Sequence, residues 1–359
     1  MIDMLNRQFQ SQCIPTSSQS IDEAMILFKG RSCIKQYMPL KPTKRGYKVW
    51  IRADSLTGYV FMFEIYTGKE QGAQVEVGLG GKVVLNLCQS LKNKNIHVTF
   101  DNFFTSYVLV EKLFAEGIYA TATVRSNRID LPLLARQRPD MTRGEYKWHT
   151  KNHTSYIQWK DTKHVHLLST AFSPTTVTET SRRLRTGETI QVPCPSAGKQ
   201  YTRRMGGVDR FDQQRGSYSV SRRSRRWWIR IFYFLVDTAI VNAHILHSAV
   251  HPDNCLTQLQ FRVILFRALI GSFSSRRRST AAVNFVRRRR HKADMKPTGV
   301  PDNIRMESIG VHMPAELPNY RRCRLCSTRT NNKRSRIQCA TCLVPLCIVP
   351  CFSKFHKKA

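Results

Sequence analysis

Acidic residues are scarce in this chain. Across 359 residues, 24 Asp and Glu face 58 Lys and Arg, which leaves a formal net charge of +34 at pH 7. Residues 201–300 hold 5 Asp and no Glu at all. Such an excess excludes an ordinary surface of mixed sign and predicts a polyanionic partner. Nucleic acid comes first, because the basic charge recurs along the chain instead of gathering on one amphipathic helix or tail. Long uninterrupted apolar runs are missing too. The most apolar stretch, IFYFLVDTAIVNAHIL at 231–246, contains Asp237, Asn242 and His244, which predicts a buried helix and no membrane. The opening MIDMLNRQFQ has no apolar core of the kind a secretory signal needs. Cysteine is thin and unpaired over most of the length: five of 11 are scattered singly, and six crowd the last 37 residues. That distribution excludes a secreted disulfide framework and points to metal binding in a reducing compartment. No internal repeat is visible, and the length suffices for a full-sized core in two domains.

Residues 20–126 predict one α/β unit. SIDEAMILFKG is a first strand; YKVWIRADS and GYVFMFEIYTG are two more, reversed at DSLTG, where Gly58 permits a tight turn. Val83, Val84, Leu85, Leu87 and Leu91 in KVVLNLCQSLKN form a helical face. NIHVTF is the next strand, FFTSYVLVEKLFAEG a helix stopped by Gly117, and IYATATVR a final strand. Three strands followed by helix, strand, helix, strand is the order of an RNase H-like core. In 127–204 the alternating EYKWHT, TSYIQWK and HVHLLSTAF predict a β-rich insertion carrying Trp148 and Trp159, while SPTTVTETSRRLRTGE reads as a polar loop. Residues 205–221 contain GGVDRFDQ, 222–292 are helical and basic, 293–320 form a linker with KPTGVPDN, and 321–359 are Cys-rich.

Several side chains in this frame could carry chemistry. Asp101, between a strand and a helix, is either an N-cap or a ligand brought to the end of a central strand. Asp209 and Asp212 stand three apart where the chain turns helical, so both carboxylates can share a face. They are either a metal-binding or basic pair, or a helical first turn favoured by the dipole and by Arg210 and Arg215. Asp54, in the turn RADS, reads as structural. Cys323-x2-Cys326 and Cys339-x2-Cys342 have the spacing of a four-thiolate Zn²⁺ site. Arg222, Arg223, Arg225 and Arg226 beside Trp227 and Trp228 offer phosphate contacts and stacking surfaces, unless the tryptophans belong to a core. Arg287, Arg288, Arg289 and Arg290 with Lys292 suit a phosphate backbone or nuclear import, and Lys41, Lys44 and Lys48 could line DNA.

Six ordered motifs resemble those of the piggyBac transposase family and its host-domesticated relatives: SIDEAMILFKGR, PLKPTKRGYKVW, VTFDNFFTS, ATATVRSNRIDLP, GGVDRFDQ, and RRCRLC followed by CATC and LCIVPCFSKFH. The resemblance implies an α/β fold with an RNase H-like catalytic core, a β-rich insertion, a helical DNA-binding and dimerisation segment, and a C-terminal zinc module. It implies that Asp22, Asp101 and Asp209 bind two Mg²⁺ (or Mn²⁺) ions, with Asp212 as a further required carboxylate. The implied activity is metal-dependent DNA cleavage and strand transfer between transposon ends and TTAA targets in the nucleus, by a homodimer. The rival readings are a domesticated sequence-specific or chromatin-associated DNA-binding protein, and a truncated inactive element. The resemblance also implies a cross-braced module binding two Zn²⁺, with Cys347, Cys351 and His356 added to the four cysteines above. That makes seven ligands where two closed tetrahedral sites need eight, so one ion or two stays open, as does the pairing. Residues 1–19 are expected to be the remnant of a longer N-terminal region, and the helices from Ser217 to Arg290 to expose faces that such a region covers.

Overall fold

A computed structural model describes residues 1–68, 78–137, 139–271, 300, 302–305, 311–328 and 330–357 of the chain. They fall into two units, Met1–Ser272 and Phe273–Ala359. In the first, β1 (Ser18–Leu27), β3 (Arg45–Asp54) and β4 (Val60–Ile65) form an antiparallel meander, and the two-residue β2 (Gln36–Tyr37) pairs with the start of β3. On the opposite side of β1 lie two parallel strands, β5 (His97–Phe100) and then β6 (Tyr119–Thr123). Each is preceded by a helix, α2 (Gly78–Cys88) or α3 (Tyr107–Ala115), as the apolar periodicity predicts. The turn between β3 and β4 also forms as expected: Asp54 Oδ1 accepts from the backbone N–H groups of Leu56 and Thr57 at 3.0 and 2.6 Å, and Gly58 adopts φ +79°.

Two hydrophobic cores flank the sheet, and the strand period of two assigns residues to them. Ile21, Trp50, Val98 and Phe100 face a core shared with α2 and α3. Ala24, Ile26, Val49 and Ile51 face another, built with Phe9 of α1 (Ile2–Gln12), Val208 and Phe211 of α5 (Gly207–Ser217), and Phe234, Leu235 and Val241 of α6 (Trp227–Val250). β4 would present free backbone groups at the margin of the sheet, a site for unwanted strand pairing. Two asparagines occupy them. The Asn6 amide donates to Phe63 O at 2.9 Å and accepts from Phe63 N at 3.1 Å; Asn242 does the same with Val60, at 2.8 and 2.9 Å. Residues 2–12 are thus a packed helix. α6 is the one helix among the described residues long and apolar enough to cross a membrane. Its interior polar groups are satisfied within the protein: Asn242 on β4, and Asp237 by Ser219, Val220 N and Arg262 of α7 (Gln258–Ile270).

The strands of the expected β-rich insertion extend the sheet. β7 (Tyr146–Lys151), β8 (Thr154–Lys160) and β9 (His164–Ser169) continue it through an antiparallel β6–β9 pair, giving the order β2-β3-β1-β5-β6-β9-β8-β7 with β4 beside β3. The expected polar loop instead contains a strand, β10 (Val177–Arg183), which pairs with β11 (Thr189–Pro195) in a separate hairpin, pinned by Trp159 Nε1 donating to Pro193 O at 2.9 Å. It leads into α4 (Ser196–Arg204). In the second unit, β12 (Pro314–Arg322) and β13 (Arg334–Cys339) pair antiparallel beside a small core of Cys323, Cys339, Cys342, Val344, Leu346, Cys351 and Phe355. The basic run Arg287–Arg290 lies outside the described residues.

Candidate active site and metal centres

Asp22 belongs to β1, and the β1–β5 register pairs Ile21 with Phe100, so Asp22 and Asp101 are the next residues of two adjacent parallel strands. Neighbouring strands run about 4.8 Å apart. Asp22 shares parity with Ala24 and Ile26, and therefore the sheet face on which α5 packs with Asp209 and Asp212. Asp101 does not cap α3: Ser106 does, accepting from Leu109 N, while Asp101 Oδ1 accepts from Phe103 N at 2.9 Å. One carboxylate oxygen is thereby fixed by the strand-to-helix turn.

α5 is seated closely. A Cβ on Gly207 would collide with the Asp54 carbonyl and with Ser20 Oγ, so only glycine lets the helix approach β1 and β3 at this point. Arg210 Nη1 then donates to Ser55 O at 2.7 Å and Gln214 Nε2 to Thr57 O at 3.1 Å. Asp54, as expected, organises that turn.

Charge accumulates among these acids. Burial, then Glu23 and Asp101, push the Asp22 carboxyl up to about 7, against Lys41 and the Glu23 backbone N–H, which favour its ionised form. Burial likewise raises Asp101, opposed by the Phe103 N–H, Lys41 and Lys48. It raises Asp212 as well, opposed by Arg215, whose guanidinium lies 2.9 Å away, and by Lys41. Two groups not singled out from the sequence join them. Glu23 pairs with Lys41 at 3.0 Å and Lys48 at 3.9 Å, and the Tyr201 hydroxyl feels both Asp101 and Asp22 after burial and its Thr123 contact.

Oxygen-only donors of this kind suit Mg²⁺ or Mn²⁺. Among the described residues, the groups of three or more ligand atoms lying within 4.8 Å of one another contain none of these Asp residues. The acids therefore do not form a closed cage for one ion. A pair of ions about 4 Å apart needs a wider spread, with waters completing each shell.

Of the basic residues, Lys41 and Lys48 turn inward to Glu23, and Lys48 is buried beneath Trp50; Lys44 is exposed. Arg222, Arg223, Arg225 and Arg226 are all exposed, and Trp227 and Trp228 are 50% and 49% exposed, so neither tryptophan is a core residue.

The Cys-rich unit shows the pairing that the sequence left open. Cys323 and Cys326 do not meet Cys339 and Cys342: one cluster is Cys323, Cys326, Cys347 and Cys351, the other His312, Cys339, Cys342 and His356. The clusters interleave along the chain, a cross-brace, and His312 is the eighth candidate ligand. Counting Cys and His only from Cys323 onward missed it; the histidine ahead of β12 was the available signal. Both donor sets fit Zn²⁺. Cys326 and Cys347 sulfurs stand 3.7 Å apart, and a tetrahedron with Zn–S arms of about 2.3 Å has an edge of about 3.8 Å. His356 Nδ1 donates to Phe352 O at 2.8 Å, which leaves Nε2 as the free lone pair, 3.5 Å from Cys342 Sγ. His312 Nδ1 lies 3.3 and 3.4 Å from the Cys339 and Cys342 sulfurs. Burial and neighbouring sulfurs push the Cys347 and Cys351 thiols up to about 11 and about 12, the repulsion that a divalent cation relieves.

The profile of a family described as Transposase IS4 matches residues 1–244. Human PiggyBac transposable element-derived protein 3 is 33% identical over 254 residues, covering 68% of this chain and 42% of that protein. Human PiggyBac transposable element-derived protein 2 is 31% identical over 275 residues, covering 73% and 46%. The chain thus spans about half the length of the curated relatives it matches. A cryo-EM structure of a piggyBac transposase synaptic complex with hairpin DNA matches with TM-score 0.67 and 22% identity, over 96% of this chain and 70% of that one. By profile, relatives and fold together, the chain belongs to the piggyBac transposase family.

Proposed function

We propose that the chain carries an RNase H-like nuclease core that cleaves and joins DNA strands with divalent metal ions, as a transposase acting at transposon ends and TTAA targets. The observation that carries this reading is the register of β1 and β5, which sets Asp22 beside Asp101 on the face where Gly207 seats α5 with Asp209 and Asp212. The strand order β4-β3-β1-β5-β6, with β1, β5 and β6 parallel and β3 antiparallel, supports the RNase H-like assignment. Asp22, Asp101 and Asp209 would hold the ions, and Asp212, tied to Arg215, would steady the helix end that presents Asp209. When bound, such ions activate a water or 3′-hydroxyl and stabilise the leaving oxygen of an in-line phosphodiester displacement. The chain's own contribution is to fix Asp101 through Phe103 N–H, to hold α5 rigidly on the β3–β4 turn, and to offer exposed Arg222, Arg223, Arg225 and Arg226 to phosphates. DNA is the proposed partner and a homodimer the proposed working form.

The exposed Arg and Trp segment favours a second reading, a DNA-binding protein without transposition, because that surface needs no acids to work. Incubation with Mg²⁺ or Mn²⁺ and a duplex bearing a transposon end flanked by TTAA separates the two. Nicking that falls to background in Asp22→Ala and Asp101→Ala supports the nuclease; salt-sensitive binding with no nicking under either metal sinks it.

A further inference from the structure

A polar cavity lies one helical turn along α5 from Asp212, and the proposed chemistry makes no use of it. Its volume is about 120 Å³, and Thr43, Arg215, Ser219, Ser221, Arg230 and Asp237 supply its polar lining. A water takes up about 30 Å³ in the liquid, so the space suits a group of only a few heavy atoms. Arg230, Phe234 and Asp237 stand at i, i+4 and i+7 of α6, on one face. The Arg215 guanidinium lies 5.2 Å from the Phe234 ring centroid, which brings the α5 cation over that same face.

Both arginines are fixed, and both keep a donor unused. Arg230 Nε and Nη1 donate to Leu27 O and Arg222 O, each at 2.9 Å, and among the described residues no carboxylate pairs with it. Arg215 Nε and Nη2 donate to Asp212 Oδ1 at 3.1 and 2.9 Å. Arg230 Nη2 and Arg215 Nη1 are thereby left without a hydrogen bond among the described residues. Asp237 does not cancel this charge. It is 1% exposed, and its carboxylate accepts from Ser219 Oγ, Val220 N and Arg262 Nη1 at 2.7, 3.1 and 3.3 Å, so a third arginine already neutralises it. Three arginines against Asp212 and Asp237 leave one positive charge over, at Arg230. Guanidinium forks beside hydroxyl groups are a donor set for phosphate oxygens.

We propose that this cavity seats one backbone phosphate of bound DNA, gripped by Arg230 and Arg215 together with the Ser221 and Thr43 hydroxyls. The inference rests on DNA being the partner, as proposed above. Six residues of α5 separate Asp209 from Arg215, about 9 Å of helix rise, so the phosphate seated here is a neighbour of the one that reacts. Holding that neighbour fixes the register of the DNA over the carboxylates.

The test uses the full chain in EDTA and duplexes bearing a transposon end, each with one phosphate replaced by an uncharged methylphosphonate, walked along both strands. In the wild type, one position close to the transposon end is expected to lose about tenfold in affinity. Arg230→Gln should bind the unmodified duplex about tenfold less tightly, with a salt slope smaller by about 1. It should lose nothing further at that one position, while the losses elsewhere stay. Ser221→Asp, which sets an anion in the cavity and leaves both arginines in place, should reproduce the pattern with an undiminished melting temperature, and stands in should Arg230→Gln fold poorly. A methylphosphonate profile identical in the wild type and both variants overturns the subsite, whatever the melting temperatures show. Inorganic phosphate that raises the melting temperature of the wild type but not of Arg230→Gln, with no sensitive position in the DNA, assigns the cavity to a free anion and overturns the DNA assignment. A profile coupled to Arg230 in a protein that nicks DNA under neither Mg²⁺ nor Mn²⁺ keeps the subsite and sinks the nuclease reading; nicking with an uncoupled profile does the reverse. Wild-type protein that binds no duplex overturns both.

Discussion

His97 sits inside the sheet as a neutral ring. Its Nδ1 accepts from Arg204 Nη1 at 3.0 Å, its Nε2 meets Thr121 Oγ1 at 2.9 Å, and burial followed by the Arg204 charge pushes its pKa down from 6.5 to about 3. Between those values the unfolded chain binds a proton that the folded chain refuses. Stability is therefore lost as pH falls from 6.5 toward 3, at about 1.4 kcal/mol per pH unit from this group. Urea unfolding at pH 7 and pH 5.5 should show a larger loss in the wild type than in His97→Gln; equal losses would refute the assignment. Nothing in NIHVTF announced this, because the ring's partner Arg204 is far away in sequence. The acids were more legible: Asp22, Asp101, Asp209 and Asp212 stand in recognisable motifs, and the register places two of them side by side. What each carboxylate bonds to was not legible. Asp101 looked like a helix cap, yet Ser106 performs that role, since the helix begins several residues later than the FFTS run suggested.

The seat of α5 depends on one glycine facing a rigid turn. The Asp54 carbonyl that a Gly207 methyl would strike belongs to a turn tied by Leu56 N and Thr57 N, so it cannot yield cheaply. Gly207→Ala should lift the start of α5, cost about 1–3 kcal/mol, and carry Asp209 away from Asp22. Gly206→Ala is the matched control, since a Cβ there meets nothing within 4 Å. Metal-dependent nicking should fall sharply in Gly207→Ala and stay near wild type in Gly206→Ala, with melting temperatures reporting stability separately. Equal behaviour of the two variants would mean that the close approach is not needed. The core strands and helices were readable because β1, β3, β5 and β6 are buried almost continuously and α2 and α3 each show one apolar face. The β10–β11 hairpin was not. Its first strand, β10, is Thr- and Arg-rich with alternate residues exposed, so composition alone reads as loop. Nor could sequence reveal that β7–β9 join the main sheet, a choice made by the β6–β9 pairing across a long connection.

The two units are stabilised by different physics. Residues of the first bury two extended apolar cores, whereas the small core of the second consists largely of its own candidate ligands, Cys323, Cys339, Cys342 and Cys351, with Val344, Leu346 and Phe355. So few apolar side chains offset little of the chain entropy of ordering the segment, and metal held by these ligands would supply folding free energy. Removing zinc with a strong chelator should abolish hydrogen-exchange protection across 311–357 and leave that of the sheet in 18–169 intact. The interleaved ligand sets make a sharper demand. Metal analysis should give two Zn²⁺ per wild-type chain and one each in Cys326→Ser and in His312→Ala, with the remaining ion held by the other set. Cys339→Ser should then resemble His312→Ala, not Cys326→Ser. If Cys326 and Cys339 instead release the same ion, the four-thiolate pairing suggested by their spacing is right and the cross-brace is wrong. Two interlocked ions would tie the beginning, middle and end of the segment together, so loss of either should loosen all of 311–357, not half of it.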